Sequence, residues 1–409
     1  MNLCIFSGGR GNQPLFNVIK SDANKELIKH ASIIVNGLDD GASTGAIRNI
    51  FDRNTHGISD FLKVILSLSS NVPLIEFLER RLPTPVNFLE YIDIATQIKA
   101  LATNNDKFDA LYEGIDKQLR GELSGCFETF FNYYYRKHEC LPRFSDYKIG
   151  NIIFAGCMIK ERYSFSSAVS RVANLLDVDR ARFDILESSG TPTYLVGLTS
   201  DGVLLPNEAS IVSVRTTDII DSVFQLTDPL TAEEIRVLCS GDAQYKKNIL
   251  HNRSTFPEAN IKVTQAIERA DLLIYGSGTP FSSIIPSLQL PQIRDAILVK
   301  KAPKILIANL KKESANSLSV SDLIDMYYRS LGGVSSEFNS INNMLTHIIV
   351  DDETIKPPIK QKIEIDVERI RVRYPSLKIN LSNVRSKYDP WKHDGEKLLN
   401  AIRHIYYAT

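Results

Sequence analysis

The sequence carries no surplus charge: 48 lysines and arginines cancel 48 aspartates and glutamates. No overall field draws the chain onto nucleic acid or an anionic membrane, and neither is expected as a partner. Cysteine is scarce, with five residues at 4, 126, 140, 157 and 239, an odd number never spaced as CxxC. That argues against a disulfide framework or a zinc site and fits a reducing compartment. His138 and Cys140 are the nearest approach to a ligand pair, two where a structural site needs four. Also missing is any apolar run of the roughly 18 to 20 residues that would span a bilayer. The opening "NLCIFSGG" has no basic leader and no long apolar core. The expectation is a cytoplasmic protein without a signal peptide. Internal repeats and low-complexity segments are absent as well.

What the chain does have is length and apolar content enough for a large core: 409 residues, 43% of them hydrophobic. Short apolar, β-branched runs alternate with helical patterns, the signature of a parallel α/β sheet. Leu3 to Phe6, Ser32 to Val35, Leu272 to Tyr275, Lys304 to Ala308 and His347 to Val350 read as strands buried on both faces. From about 183 to 215 the pattern turns hairpin-like around Ser200-Asp201-Gly202, suggesting an antiparallel addition to the sheet. From about 72 to 145, stretches such as "VNFLEYIDIATQIKAL", "FDALYEGIDKQL" and "FETFFNYYYRKH" carry only helical periodicity, so a helical insertion is expected. The cluster Phe127, Phe130, Phe131, Tyr133, Tyr134 and Tyr135 reads as helix packing rather than a base-stacking platform. After the break "KPPIK", a strand-like "KIEIDVERI" and a final helix "HDGEKLLNAIRHIYY" close the chain over about 350–409. The reading is one doubly wound, Rossmann-like domain over 1–409, with a mostly parallel sheet.

Three loops hold the functional signal. "FSGGRGNQP" follows the first strand, and Gly8, Gly9 and Gly11 permit positive φ and close approach of backbone N–H groups to an anion. Pro14 suits the first turn of the next helix, but it stands where a dinucleotide fingerprint has its third glycine. "NGLDDGASTG" follows the second strand, where a dehydrogenase keeps its ribose-binding acid, so an NAD-dependent oxidoreductase stays open. Two adjacent acids, Asp39 and Asp40, exceed that need, and Gly41, Ser43, Thr44 and Gly45 offer donors to a phosphate at the start of a helix. The plainer role for either acid is a helix cap. "YGSGTPFSS" repeats the logic of the first loop, with Gly276, Ser277, Gly278, Thr279 and Pro280 before Ser282 and Ser283. Ligands of this fold lie outside the carboxyl ends of the strands, where three such loops would converge.

Taken as a linked set, "FSGGRGNQPL", "NGLDDGASTGAIR", "GNIIFAG" and "GSGTPFSSIIPSLQLPQI" resemble the CofD family. That family holds the phospholactate transferases and the UDP-sugar-binding regulators called YvcK or gluconeogenesis factor. The resemblance runs over nearly the whole chain. It implies a nucleotide-diphosphate ligand held by Gly8, Gly9, Arg10, Gly11 and Asn12, by Asp39 and Asp40, by Asn151, and by the turn Gly276 to Pro280. "DDGASTGAIR" looks like the regulator form. Two departures stand out: Asp60 is followed by Phe61, Leu62 and Lys63 instead of an Arg-Asn pair, and Tyr147-Lys148 replaces a His-Ser pair.

The expected ligand is therefore a nucleotide diphosphate, most simply a nucleotide-sugar, bound by Gly8–Asn12, Ser43, Thr44, Asn151, Gly276–Thr279 and Ser283. The alternative is a Mg²⁺-dependent transferase that moves a phosphoryl-linked group to a hydroxyl. There Asp39 and Asp40 would hold the metal or accept the acceptor's proton, and the metal would bridge the acids to phosphate. The apolar "IIPSLQLPQI" segment suits either a core or an interface between copies of the chain.

Overall fold

The computed structural model describes residues 1–82, 114–138, 147–214, 218–312, 319–332, 343–352 and 363–408. The chain divides into two compact units. Met1–Leu38 with Ala181–Thr409 forms one, and Asp39–Arg180 forms the other.

The first unit is built on a parallel sheet. Its strands are β1 (Asn2–Phe6), β2 (His30–Val35), β3 (Phe183–Glu187), β7 (Leu272–Tyr275), β8 (Lys304–Ile307), β9 (His347–Asp351) and β10 (Lys378–Ser382). Side by side they run β10-β9-β8-β7-β1-β2-β3, every neighbouring pair parallel. The five strands legible in the sequence are there, buried on both faces because helices cover both. Strand order steps outward from β1 to β3, then restarts beside β1 with β7 and steps the other way. This reversal, with Phe6 in register with Tyr275, defines the doubly wound fold.

Two expectations are corrected. The hairpin at Ser200–Gly202 exists, with Gly202 at φ +82°, but it does not extend the main sheet. β4 (Tyr194–Thr199), β5 (Leu204–Leu205) and β6 (Ile220–Leu226) form a separate antiparallel sheet, ordered β5-β4-β6. The reason lies in alternation. Leu195 and Val223 pack into the main core, while Val196, Leu198 and Phe224 pack into a second cluster with Leu238 and Leu250. A sheet apolar on both faces needs cover on both, and the helices Ala232–Ser240 and Ala243–Arg253 supply it on the outer side. Nor is "KIEIDVERI" a strand over its described part. Asp366 accepts from the Ser321 N–H at 3.0 Å, and Val367–Arg373 is a helix with Ile370 buried. The closing strand is β10, a half-exposed edge whose polar residues hid it.

The second unit is helical among its described residues, and it is larger than an insertion at 72–145, since it starts at Asp39. "VNFLEYIDIATQIKAL" and the first half of "FDALYEGIDKQL" lie outside the described residues, as does "KPPIK" in the first unit. Helices Lys117–His138 and Ile149–Lys160 pack closely because Gly156 lacks a side chain; a Cβ there would sit 2.1 Å from the Cys126 carbonyl oxygen. Phe127 and Phe130 are buried in this packing, as the sequence suggested. No described helix is long and apolar enough to cross a membrane.

Candidate functional site

Within the sheet unit, the carboxyl ends of β1 and β7 lie side by side at the reversal of strand order. The chain leaves β1 through Ser7 to Gly11 and enters the helix Gln13–Ile19 with Pro14 in its first turn. It leaves β7 through Gly276 to Thr279 into a π-helical turn, Pro280–Ile284. Buried Asn12 ties the two loops together. Its Nδ2 donates to Ser7 Oγ at 3.0 Å, and its Oδ1 accepts from the Ser277 N–H at 3.2 Å. Ser277 Oγ donates in turn to the Gly11 carbonyl at 3.0 Å.

No side chain fits between these loops. A Cβ on Gly11 would lie 1.4 Å from the Ser277 carbonyl oxygen, one on Gly276 1.8 Å from Asn12 Nδ2, and one on Gly8 2.2 Å from Ser283 Oγ. Positive φ is not the reason for these glycines, because Gly8, Gly9 and Gly11 all avoid that region. Close approach is. Among the described residues, the N–H groups of Gly8, Gly9 and Gly11 enter no backbone hydrogen bond. The two loops carry no carboxylate, and their one charge is the exposed Arg10. Free backbone N–H groups beside a cation are the kind of group that anion sites use.

The first half of the middle loop also belongs to this unit. Asn36 follows β2, donates from Nδ2 to the Ser282 carbonyl at 2.5 Å, and accepts from the Leu38 N–H at 3.0 Å. Asn309, after β8, donates to the Gly278 carbonyl at 3.3 Å. Three asparagines past three strand ends thus fix the loops, and only Asn12 was singled out in the sequence. The signal was there in "IIVNG" and "LIANL", an amide straight after an apolar strand.

Within the helical unit, Asp39 and Asp40 precede the helix Ala42–Ile50, but they differ. Asp39 accepts from the Gly41 N–H at 3.2 Å and from Thr44 Oγ1 at 3.0 Å. Thr44 Oγ1 also touches Ser59 Oγ. Asn151, fully buried at the start of its helix, donates to Ser43 Oγ at 2.8 Å and Ser59 Oγ at 3.2 Å, while its Oδ1 has no hydrogen-bond partner among the described residues. Burial raises the Asp39 pKa, the Asp60 carboxylate raises it further, and Lys63, Gly41 and Thr44 oppose them. Asp40 faces Arg48 at 3.8 Å; burial raises its pKa while Arg48 and Arg53 pull it down. Asp39 shares its surroundings with a second carboxylate, and Asp40 has cations.

The structure thus brings Gly8, Gly11 and Asn12 together with Gly276, Ser277 and Ser283 in one unit. In the other it brings Asp39 together with Ser43, Thr44 and Asn151. Ser59 and Asp60 complete the second group. The two sequence departures are absorbed by packing and pairing. Phe61 is buried edge-on against Phe165 at 4.8 Å, Lys63 pairs with Asp60 at 2.8 Å, and Lys148 pairs with Glu79 at 2.7 Å.

Comparison with known proteins gives the family. The family model "2-phospho-L-lactate transferase CofD" matches residues 3–381. A Deinococcus radiodurans protein named "Putative gluconeogenesis factor" is 24% identical over 331 residues, 76% of this chain and 60% of that protein. A Thermotoga maritima protein of the same name is 26% identical over 271 residues, 64% of this chain and 73% of that one. A Streptococcus pneumoniae relative of that name is 26% identical over 204 residues, and the match spans only 53% of its length. The crystal structure of a Bacillus halodurans protein of the UPF0052 family superposes with a TM-score of 0.63 over 98% of both chains, at 19% identity, a likeness of fold. The glycine loops, the paired acids and the match along nearly all of the sequence have one consequence: the chain belongs to the CofD family.

Proposed function

We propose that the chain binds a nucleotide diphosphate, in the form of a nucleotide-sugar, with its diphosphate on the glycine loops of the sheet unit. The observation that carries this reading is the Asn12–Ser277–Gly11 lock at the reversal of strand order. It fixes the loop that carries Gly8, Gly9 and Gly11 at the end of the sheet where doubly wound folds take their ligands, which supports their N–H groups as donors to the diphosphate. Arg10 adds the one positive charge that the two loops carry, and Thr279 and Ser283 supply hydroxyl donors. The preference for a sugar nucleotide rests on the likeness of "DDGASTGAIR" to the regulator branch.

A second reading, transfer of a phosphoryl-linked group to a hydroxyl, is favoured by Asp39 and Asp60. No group of three or more His, Cys, Asp or Glu among the described residues forms a cage for a metal. Mg²⁺ needs none: it takes one or two carboxylates, keeps waters and shares the oxygens of a phosphate. The oxygens of Asp39, Asp60, Thr44 and Ser59 suit that ion, and the Asp39 pKa is raised, first by burial and then by the Asp60 carboxylate. Mg²⁺ held there would neutralise charge on a transferring phosphoryl group. Without it, a raised pKa suits Asp39 to take the proton of an acceptor hydroxyl.

A thermal-shift panel of UDP-sugars, guanosine and uridine diphosphates, with and without Mg²⁺, tests both readings. Ligand at about a hundred times its Kd adds roughly 2.7 kcal/mol of stability. Stabilisation by a UDP-sugar that is recovered intact supports the first reading. Consumption of the nucleotide once a hydroxyl acceptor is added supports the second. Indifference to every nucleotide removes both.

A further inference from the structure

Cys126 and Cys157 face each other across the contact between helices Lys117–His138 and Ile149–Lys160, Sγ to Sγ at 3.4 Å, both fully buried and both reduced. Two cations lie against them. Lys160 crosses over Gly125, whose added Cβ would stand 2.8 Å from its Nζ, and Arg171 approaches from the helix Phe165–Leu175. Arg171 is anchored by Glu161 at 2.9 Å and also forms part of the wall of a cavity of about 350 Å³, lined with Asp116, Gln118, Glu122 and Asn174. A small polar oxidant entering that cavity reaches the guanidinium that faces the thiols.

We propose that Cys126 and Cys157 are a redox couple, closed to a disulfide by a small hydroperoxide that enters past Arg171. The Cys126 thiolate attacks one peroxide oxygen, the O–O bond breaks, and the departing oxygen takes a proton and leaves as water or alcohol. Cys126 is then a sulfenic acid. Cys157 loses its proton and attacks the sulfenic sulfur, the S–O bond breaks, and the departing hydroxide takes that proton and leaves as water. Each cysteine gives up one electron and the peroxide takes both.

Geometry and charge both favour this order. The sulfurs are already in contact at 3.4 Å and move in to a bonded separation of about 2.05 Å when the disulfide forms. The hydrogen bond with Cys157 lowers the Cys126 pKa most, burial opposes it, and Lys160 and Arg171 lower it further. The Cys157 thiol is pushed the other way, first by that same hydrogen bond and then by burial. One thiol is thus set up to attack and the other to resolve.

The test is hydrogen peroxide on the folded full-length chain, followed by alkylation under denaturing conditions and non-reducing peptide mapping. The expected product is an intramolecular link between the Cys126 and Cys157 peptides that dithiothreitol reverses. In Cys157→Ser the link is lost and Cys126 is trapped by dimedone as the sulfenic acid. In Arg171→Met the pH at which the oxidation rate is half-maximal moves upward, which a purely structural thiol pair would not show. If exposed Cys239 is oxidised to completion while Cys126 and Cys157 both remain alkylatable, the proposal is wrong. Mapping of the wild-type chain decides this even where a variant fails to fold.

Discussion

Replacing Gly11 by alanine should weaken nucleotide binding about ten- to hundredfold without unfolding the protein. The new Cβ would lie 1.4 Å from the Ser277 carbonyl oxygen, so the loops must part by roughly 1.6 Å to reach the closest separation that real Cβ contacts show, about 3 Å. That movement breaks the Ser277 N–H to Asn12 bond, now 3.2 Å, and the Ser277 Oγ to Gly11 bond, now 3.0 Å. Overpacking costs about 1–3 kcal/mol and each hydrogen bond about 0.5–1.5, so about 2–6 kcal/mol in all. Gly11 is itself exposed, which lets the loop yield outward and places the cost toward the lower end, inside the about 5–15 kcal/mol that holds a domain folded. Binding suffers more. A bond from an N–H to a charged phosphate contributes about 1.5–3 kcal/mol, so losing one weakens Kd about ten- to hundredfold. Titration calorimetry with the best nucleotide of the panel reads the loss, and circular dichroism confirms the fold. A folded Gly11→Ala chain with wild-type affinity would refute the cradle.

Gly121 provides the control: it is exposed within the helix Lys117–His138 with nothing within 4 Å of an added Cβ. Gly121→Ala should add about 0.5–1 kcal/mol in urea unfolding and leave ligand affinity alone; a loss of stability there would count against the helix. Asp39 gives a pH dependence with a definite sign. Burial and the Asp60 charge raise its pKa, so the folded chain holds this proton more tightly than the unfolded one. Stability from this group therefore falls as pH rises through the raised value. Asp39→Asn should be more stable than wild type at neutral pH, lose that slope, and bind ligand without Mg²⁺ dependence; equal urea midpoints at neutral and mildly acidic pH would contradict it. His393 acts in the opposite direction. Burial, helped by Arg385, lowers its pKa from 6.5 to about 4. Its contribution, about 3 kcal/mol, is present above the unfolded value and lost as pH falls between the two. His393→Gln should flatten that acid limb, and an unchanged limb would argue that the ring is solvated.

The sequence was most legible where residues are covered on both faces. Leu272–Tyr275 and, after Lys304, Ile305–Ile307 are uninterrupted apolar runs because helices bury both sides of the sheet. β10 was missed because an edge strand is half exposed and free to be polar, and Val367–Arg373 was misread because a short helix shows few turns of its period. The glycine loops were visible as composition, but their physical reason was only half visible. The sequence reads Gly8, Gly9 and Gly11 as permitting positive φ and close approach to an anion; none of them takes positive φ, and Gly8 and Gly11 serve close packing of two loops. That packing depends on a pairing across more than 260 residues, from Asn12 to Ser277, which no local pattern encodes. The distinction between Asp39 and Asp40 was hidden for a similar reason, since it comes from Asp60 on one and Arg48 on the other.

A crystal structure of the chain with a saturating nucleotide diphosphate and Mg²⁺ addresses the central claim most directly. The account predicts diphosphate oxygens within about 3 Å of the N–H groups of Gly8, Gly9 and Gly11 and of the Ser283 hydroxyl. Density for the nucleotide at any other strand end, with these donors facing water, would contradict it.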